Sequence, residues 1–290
     1  MRGAWQWLWV LCLAGLGCAG SGTTRVDLQS KAISLNDAGY QYYRQSRWNL
    51  AQEKFSQALK YNRLIDRRVG IAANLNNLGV VAQEQGNLPA AMQYFQEALE
   101  INRELEDSGA LSETLNNLGA AYLAQGGQAE AQRAFEEARQ WDRSQPPGPL
   151  AALTLMHLGD AARARRDYSQ AMNYYHQALL LDEGRKDAQG RASRWERLGR
   201  AFLDLKDYGR ANAYLHDALR EFRRLQDTNG IADTLKDLTL LALAQGDRQE
   251  ARLHGRLLLE LYLARGQEQE AEKLAALLKV HEPPKSHPPK

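Results

Sequence analysis

Only two cysteines occur in the 290 residues, Cys12 and Cys18, and both fall within the first eighteen. Beyond them no disulfide, thiolate zinc site or thiol nucleophile can form, and an exported chain without disulfides is held by packing alone. Net charge is scarce too. The 37 Lys and Arg face 35 Asp and Glu, a formal +2 that falls by one if Arg2 is removed. A near-neutral chain gives no electrostatic ground for binding nucleic acid. The apolar run at residues 4–17 is too short to span a bilayer. Nothing reads as a strand, so the contexts for phosphate loops, serine elbows and paired acids are missing. The six histidines lack ligand spacing: His176 and His216 are related by repetition, and His281 and His287 lie in the tail. No catalytic set, metal site or cofactor is expected.

What is present begins with a leader. Met1-Arg2-Gly3 is a short positive start, and residues 4–17 form an apolar stretch of signal-peptide shape. The small residues around Cys18 resemble the bacterial lipobox, although Gly15 stands where that motif usually has Leu. This resemblance implies lipidation of Cys18, after removal of residues 1–17. The other reading is ordinary cleavage after Ala19, which discards Cys18. Ala19 in place of Asp implies, for a lipoprotein, the outer membrane facing the periplasm; a soluble periplasmic protein is the alternative. Residues 18–29 are small and polar and read as a flexible tether carrying the anchor.

The main feature is a period. Gly39, Gly79, Gly119, Gly159 and Gly199 are each forty residues apart. Four residues before them stand Leu35, Leu75, Leu115, Leu155 and Trp195. Twelve after them come Ala51, Ala91, Ala131, Ala171 and Ala211, and nineteen after them Ala58, Ala98, Ala138, Ala178 and Ala218. A fixed period of this size means stacked identical units. Spacings of three and four put each set on one helical face, so each unit reads as two helices joined by a short turn. A glycine inside a helix costs about 1 kcal/mol relative to alanine. Close approach of the partner helix's alanine offsets this, with Phe55, Phe95, Phe135, Tyr175 and Leu215 filling the space beside it.

These residues resemble the tetratricopeptide repeat (TPR), whose signature is the Leu-Gly pair, the Ala after the turn, the aromatic and the last Ala. The usual period is thirty-four residues. The extra six here resemble the long repeats of kinesin light chains and spindle-orientation adaptors, and the chain as a whole resembles bacterial TPR lipoproteins. The implied fold is all-α: a right-handed superhelical solenoid of about six TPR helix hairpins at 30–266, a C-terminal capping helix at 267–280, and a disordered Pro-rich tail at 281–290. The sixth unit is degenerate, with Thr239 for glycine and Gly255 for the aromatic. The segment at 144–149, rich in proline, reads either as a stiff connector whose last proline opens a helix or as a hinge.

In this family the first helices line a concave groove. The resemblance implies that Asn36, Tyr40, Tyr43, Asn76, Asn77, Asn116 and Asn117 bind a protein or peptide partner, the amides holding an extended backbone; they also read as exposed polar filler. The residues after the glycines, Tyr40, Val80, Ala120, Asp160 and Arg200, lack the Lys and Asn set that grips a peptide carboxylate. The arginines of units four and five, Arg163, Arg165, Arg166, Arg191, Arg194, Arg197 and Arg200, read either as a site for acidic groups or as internal ion pairs, with Asp160 and Arg200, and Arg197 and Asp237, at equivalent positions. The expected function is a membrane-anchored, non-enzymatic scaffold in the bacterial envelope, in secretion, pilus or cell-wall machinery. The alternative is a ligand- or peptide-sensing TPR regulator.

Overall fold

The computed structural model describes residues 24–142 and 148–280. Among these lie thirteen helices and no strand. They are α1 (Arg25–Arg44), α2 (Trp48–Leu64), α3 (Arg68–Glu84), α4 (Leu88–Leu105), α5 (Ser108–Ala124), α6 (Gln128–Asp142), α7 (Pro149–Ala164), α8 (Tyr168–Gly184), α9 (Ala188–Asp204), α10 (Tyr208–Leu225), α11 (Thr228–Gln245), α12 (Arg248–Ala264) and α13 (Glu268–Val280). Each packs on the next, giving six hairpins and a final single helix. From α3 to α11 the odd-numbered helices also touch one another. A row of helices in mutual contact lies on the inside of a curved stack, so the odd-numbered helices form the inner wall. None of the described helices is long and apolar enough to cross a membrane.

The joints recur every twenty residues. A left-handed residue follows eleven of the described helices: Ser46, Asp66, Gly86, Glu106, Gly126, Arg166, Lys186, Lys206, Gln226, Gly246 and Gly266. At Gly86 the Schellman pair is complete, Gly86 N–H donating to Gln83 O at 2.9 Å and Asn87 N–H to Ala82 O at 2.8 Å. The same pair closes at Arg166 and Lys206, so the turn geometry does not depend on glycine. At seven of these joints the next residue caps the following helix with its side chain, whereas Arg47 and Arg67 make no such bond. Side chains of Asn87, Asp107, Asp167, Asp187, Asp207, Asp227 and Asp247 accept from first-turn N–H groups, each worth about 1 kcal/mol. The proline-rich connector ends at Gly148, and Pro149 opens α7; residues 143–147 lie outside the described residues. Helix α1 opens at Arg25 with a capping box between Thr24 and Asp27, inside the stretch read as a tether.

The inner glycines are explained by rings. A Cβ on Gly39, Gly79, Gly119 or Gly159 would lie within 3.0 Å of the ring of Phe55, Phe95, Phe135 or Tyr175, and one on Gly199 would meet Leu215. The rings, and not the alanines, make the close approach, while Ala51, Ala91, Ala131, Ala171 and Ala211 are completely buried nearby. Burial of each ring stabilises by roughly 2–3 kcal/mol, more than the glycine costs. A second close approach joins consecutive hairpins: a Cβ on Gly70, Gly190 or Gly230 would strike Asn62, Asp182 or Phe222.

Candidate partner-binding groove

The inner wall is tied together by side chains that reach from one odd-numbered helix to the next. Asn36 accepts from Asn74 at 2.8 Å and from Asn77 at 3.0 Å. Tyr40 donates to Asn77 at 2.9 Å. Asn76 donates to Glu113 at 3.0 Å and accepts from Asn117 at 3.1 Å. Asn116 donates to Thr154 at 2.7 Å, and its oxygen lies 3.3 Å from His157 Nδ1. The rungs therefore join residues 37, 38 or 41 apart. Neighbouring inner helices therefore present to each other not equivalent residues but residues one to three positions off the forty-residue repeat.

This geometry engages the asparagine amides within the wall. Asn76, Asn77 and Asn116 are buried, at 5, 7 and 0 % exposure, and their amides are occupied by neighbouring helices. Asn36 and Asn117 are half-buried in the same ladder. The surface left for a partner consists of Tyr40, which is 46 % exposed and edge-on to Phe55, together with Val80, Glu113, Asn117 and Ala120. Burial pushes the Tyr40 phenol up, as it does the Glu113 carboxyl. Tyr43 sits against Trp48, 3.5 Å from Glu84, and burial pushes its phenol up to about 12. Asn74, at 1 % exposure, is a ladder member that the sequence reading passed over.

From α7 onward ions replace amides. Tyr175 donates to Asp160 at 2.7 Å, and Asp160 pairs with Arg197 at 3.6 Å. Arg200 holds Asp237 at 2.9 Å and Glu196 at 3.0 Å, and Arg163 holds Asp204 at 2.7 Å. The ion-pair expectation for these arginines is met diagonally: Asp160 reaches Arg197 and Arg200 reaches Asp237, not the equivalent positions forty residues on. Arg191 pairs with Glu221, and Arg194 is buried against Asp182 at 3.1 Å. Burial pushes Asp182 and Asp237 up against the pull of their arginines. His157 is driven down to about 4 by burial, with Arg197 and Arg194 adding and Asp160 opposing. Arg165 and Arg166 lie at the turn after α7, away from this network.

Cys18 lies outside the described residues, as do the leader and the tail. No group of three His, Cys, Asp or Glu that could hold a metal ion occurs among the described residues.

The family profile described as tetratricopeptide repeat matches residues 30–104, 70–144 and 111–184. The chain belongs to the tetratricopeptide-repeat family, whose members typically serve as protein–protein interaction scaffolds. No curated protein matches the chain. Among solved structures it is similar to a Rap protein complexed with Competence and Sporulation Factor, at 14 % identity and a TM-score of 0.69, covering 87 % of this chain and 74 % of that one. Pseudomonas aeruginosa pilF is similar at 22 % identity and a TM-score of 0.55, covering 86 and 99 %. A putative kinesin light chain with TPR-like repeats from Podosopora anserina is similar at 17 % identity and a TM-score of 0.53, covering 68 and 98 %. These likenesses establish the fold.

Proposed function

We propose that this protein is a lipid-anchored scaffold of the bacterial envelope that holds an extended segment of a partner protein along its inner wall. The observation that carries the reading is the wall itself. Its polar groups are largely bonded to one another, so the surface is preformed and a partner meets little ordering cost. The contact residues are Tyr40, Val80, Glu113, Asn117 and Ala120 in the first half, with Tyr43 at the edge. Asn36, Asn76, Asn77 and Asn116 act behind them by fixing the wall. Cys18 supplies the anchor, placing the array at the outer membrane on the periplasmic side.

Two experiments test this. Val80→Arg and Ala120→Arg place bulk and charge on the wall without cutting a rung. In intact cells, crosslinking of the tagged protein should capture a dominant envelope protein that the double variant loses; equal capture by both would retire the groove. Cys18→Ala should move the protein from the membrane fraction to the soluble fraction, and unchanged fractionation would remove the anchor.

A second reading is a sensor that encloses a small diffusible factor. The likeness to a Rap protein complexed with Competence and Sporulation Factor favours it. A factor recovered with the purified protein, with no captured protein partner, would select that reading.

A further inference from the structure

The inner wall answers its carboxylates in one half and not in the other. From α7 onward the wall supplies its own arginines: Arg197 pairs with Asp160, Arg163 with Asp204, and Arg200 with both Glu196 and Asp237. Asp233 makes no ion pair among the described residues, yet Arg200, Arg197 and Lys236 all act on it. In α1 and α5 the wall carries Asp37 and Glu113, and neither makes an ion pair among the described residues.

These two carboxylates act on one exposed ring. Tyr40 reaches from α1 to donate to Asn77 of α3, and Glu113 reaches back from α5 to accept from the adjacent Asn76 at 3.0 Å. Tyr40 and Glu113 therefore approach each other over α3, with Asp37 one turn before Tyr40 on α1. Burial pushes the Tyr40 phenol up, the Asn77 bond opposes it, and the charges of Glu113 and Asp37 push it further. No cation is among the charges that act on it. The same holds at Glu113: crowding by the wall pushes its carboxyl up, the Asn76 amide opposes, and the one charge acting on it is that of Asp107. Asp37 has the register of Asn77, Arg197 and Asp237, each of which is bonded to the inner helix before it. No described helix precedes α1, so at Asp37 that rung is open. Asp37, Tyr40 and Glu113 are all exposed.

We propose that this place on the inner wall takes a lysine or arginine side chain of the partner segment, its cation resting on the Tyr40 ring between the Asp37 and Glu113 carboxylates. The proposal rests on the groove reading and makes that segment basic where it crosses α1, α3 and α5. Charge complementarity selects the occupant. A cation is attracted by the ring and by both carboxylates, whereas an acidic segment meets two like charges. Val80 and Ala120 beside the ring suit apolar residues flanking the base.

The probe is a fluorescently labelled, end-blocked pentapeptide, Val-Lys-Val-Arg-Val, titrated against the full chain and followed by anisotropy. Saturable binding is expected, weakening as salt rises. Asp37→Asn combined with Glu113→Gln keeps the shape of both side chains and leaves an oxygen to accept from Asn76. This neutralised variant should bind about tenfold more weakly and lose most of the salt dependence, with circular dichroism confirming an intact array. Tyr40→Leu, which removes the ring, should weaken binding about threefold. The acidic peptide Val-Glu-Val-Glu-Val should not bind. In cells the neutralised variant should lose the partner that wild type captures. Capture lost through Val80→Arg and Ala120→Arg but kept by the neutralised variant would leave the groove standing and overturn this assignment. No saturable binding, equal binding by wild type and the neutralised variant, or preference for the acidic peptide would each overturn it as well.

Discussion

The two halves of the inner wall are built to one geometry with two chemistries. In α1, α3 and α5 the rungs are amides, with Asn36, Asn74, Asn76, Asn77 and Asn117 bonding to one another. In α7, α9 and α11 they are ion pairs through Arg163, Arg197 and Arg200. The same diagonal connects both. Helix phase therefore dictates which residues meet, while any complementary pair will serve once they do. The difference lies in the cost of failure. A lost amide leaves a neutral group unpaired, whereas a lost ion partner leaves a buried charge.

The largest test of that contrast is at the hairpin junctions. Asp182→Ala strands Arg194, which is 6 % exposed, and should destabilise by about 3–5 kcal/mol. Asn102→Ala, at the equivalent position, removes a 3.1 Å bond to Thr114 and should cost about 1–3 kcal/mol. Equal losses in urea denaturation would erase the distinction between the halves. Next comes Gly119→Leu, which drives a side chain into the Phe135 ring and should cost roughly 1–3 kcal/mol or more by overpacking. Gly159→Leu against Tyr175 should cost at least as much, because Tyr175 is also held by Asp160; an unchanged melting temperature in either would refute the ring contact.

Acid should separate the halves further. An unfolded His157 titrates near 6.5 and the folded one near about 4. Between those values the unfolded chain binds the extra proton. The stability that neutral His157 supports is complete above about pH 6.5 and is lost as pH falls toward about 4. His157→Gln should flatten the pH dependence of stability in that window, and an identical profile would remove His157 as its source. The smallest effect belongs to Asp204→Asn. The Arg163–Asp204 pair has side chains 28 and 33 % exposed, so its loss should cost under about 1 kcal/mol and should shrink further in high salt. A larger, salt-independent loss would show that the pair is not solvent-screened.

The glycine frame was legible because a large side chain, a ring at four of the five and Leu215 at the fifth, meets each glycine at an unchanging offset, and repetition exposes any constant offset. The joints were equally available, since Asp167, Asp187, Asp207, Asp227 and Asp247 fall every twenty residues, but a search for the forty-residue period hides its half. The ladder was not legible. Its offsets of 37 and 41 come from how neighbouring helices are rotated, which no single helix encodes. The asparagines were read as peptide-binding because an amide matches a peptide bond, and it matches another amide just as well.

The twenty-residue joint carries a consequence for how such an array can grow. Eleven of the joints share one left-handed residue, and seven of the helices after them begin on an Asn or Asp cap, so the chain can be cut and rejoined at such a joint with little local damage. Loss of one helix, however, would exchange inside for outside in everything downstream, setting rings where glycines are needed. Length can therefore change only in steps of two joints, and the conserved quantity in any lengthened or shortened relative would be parity.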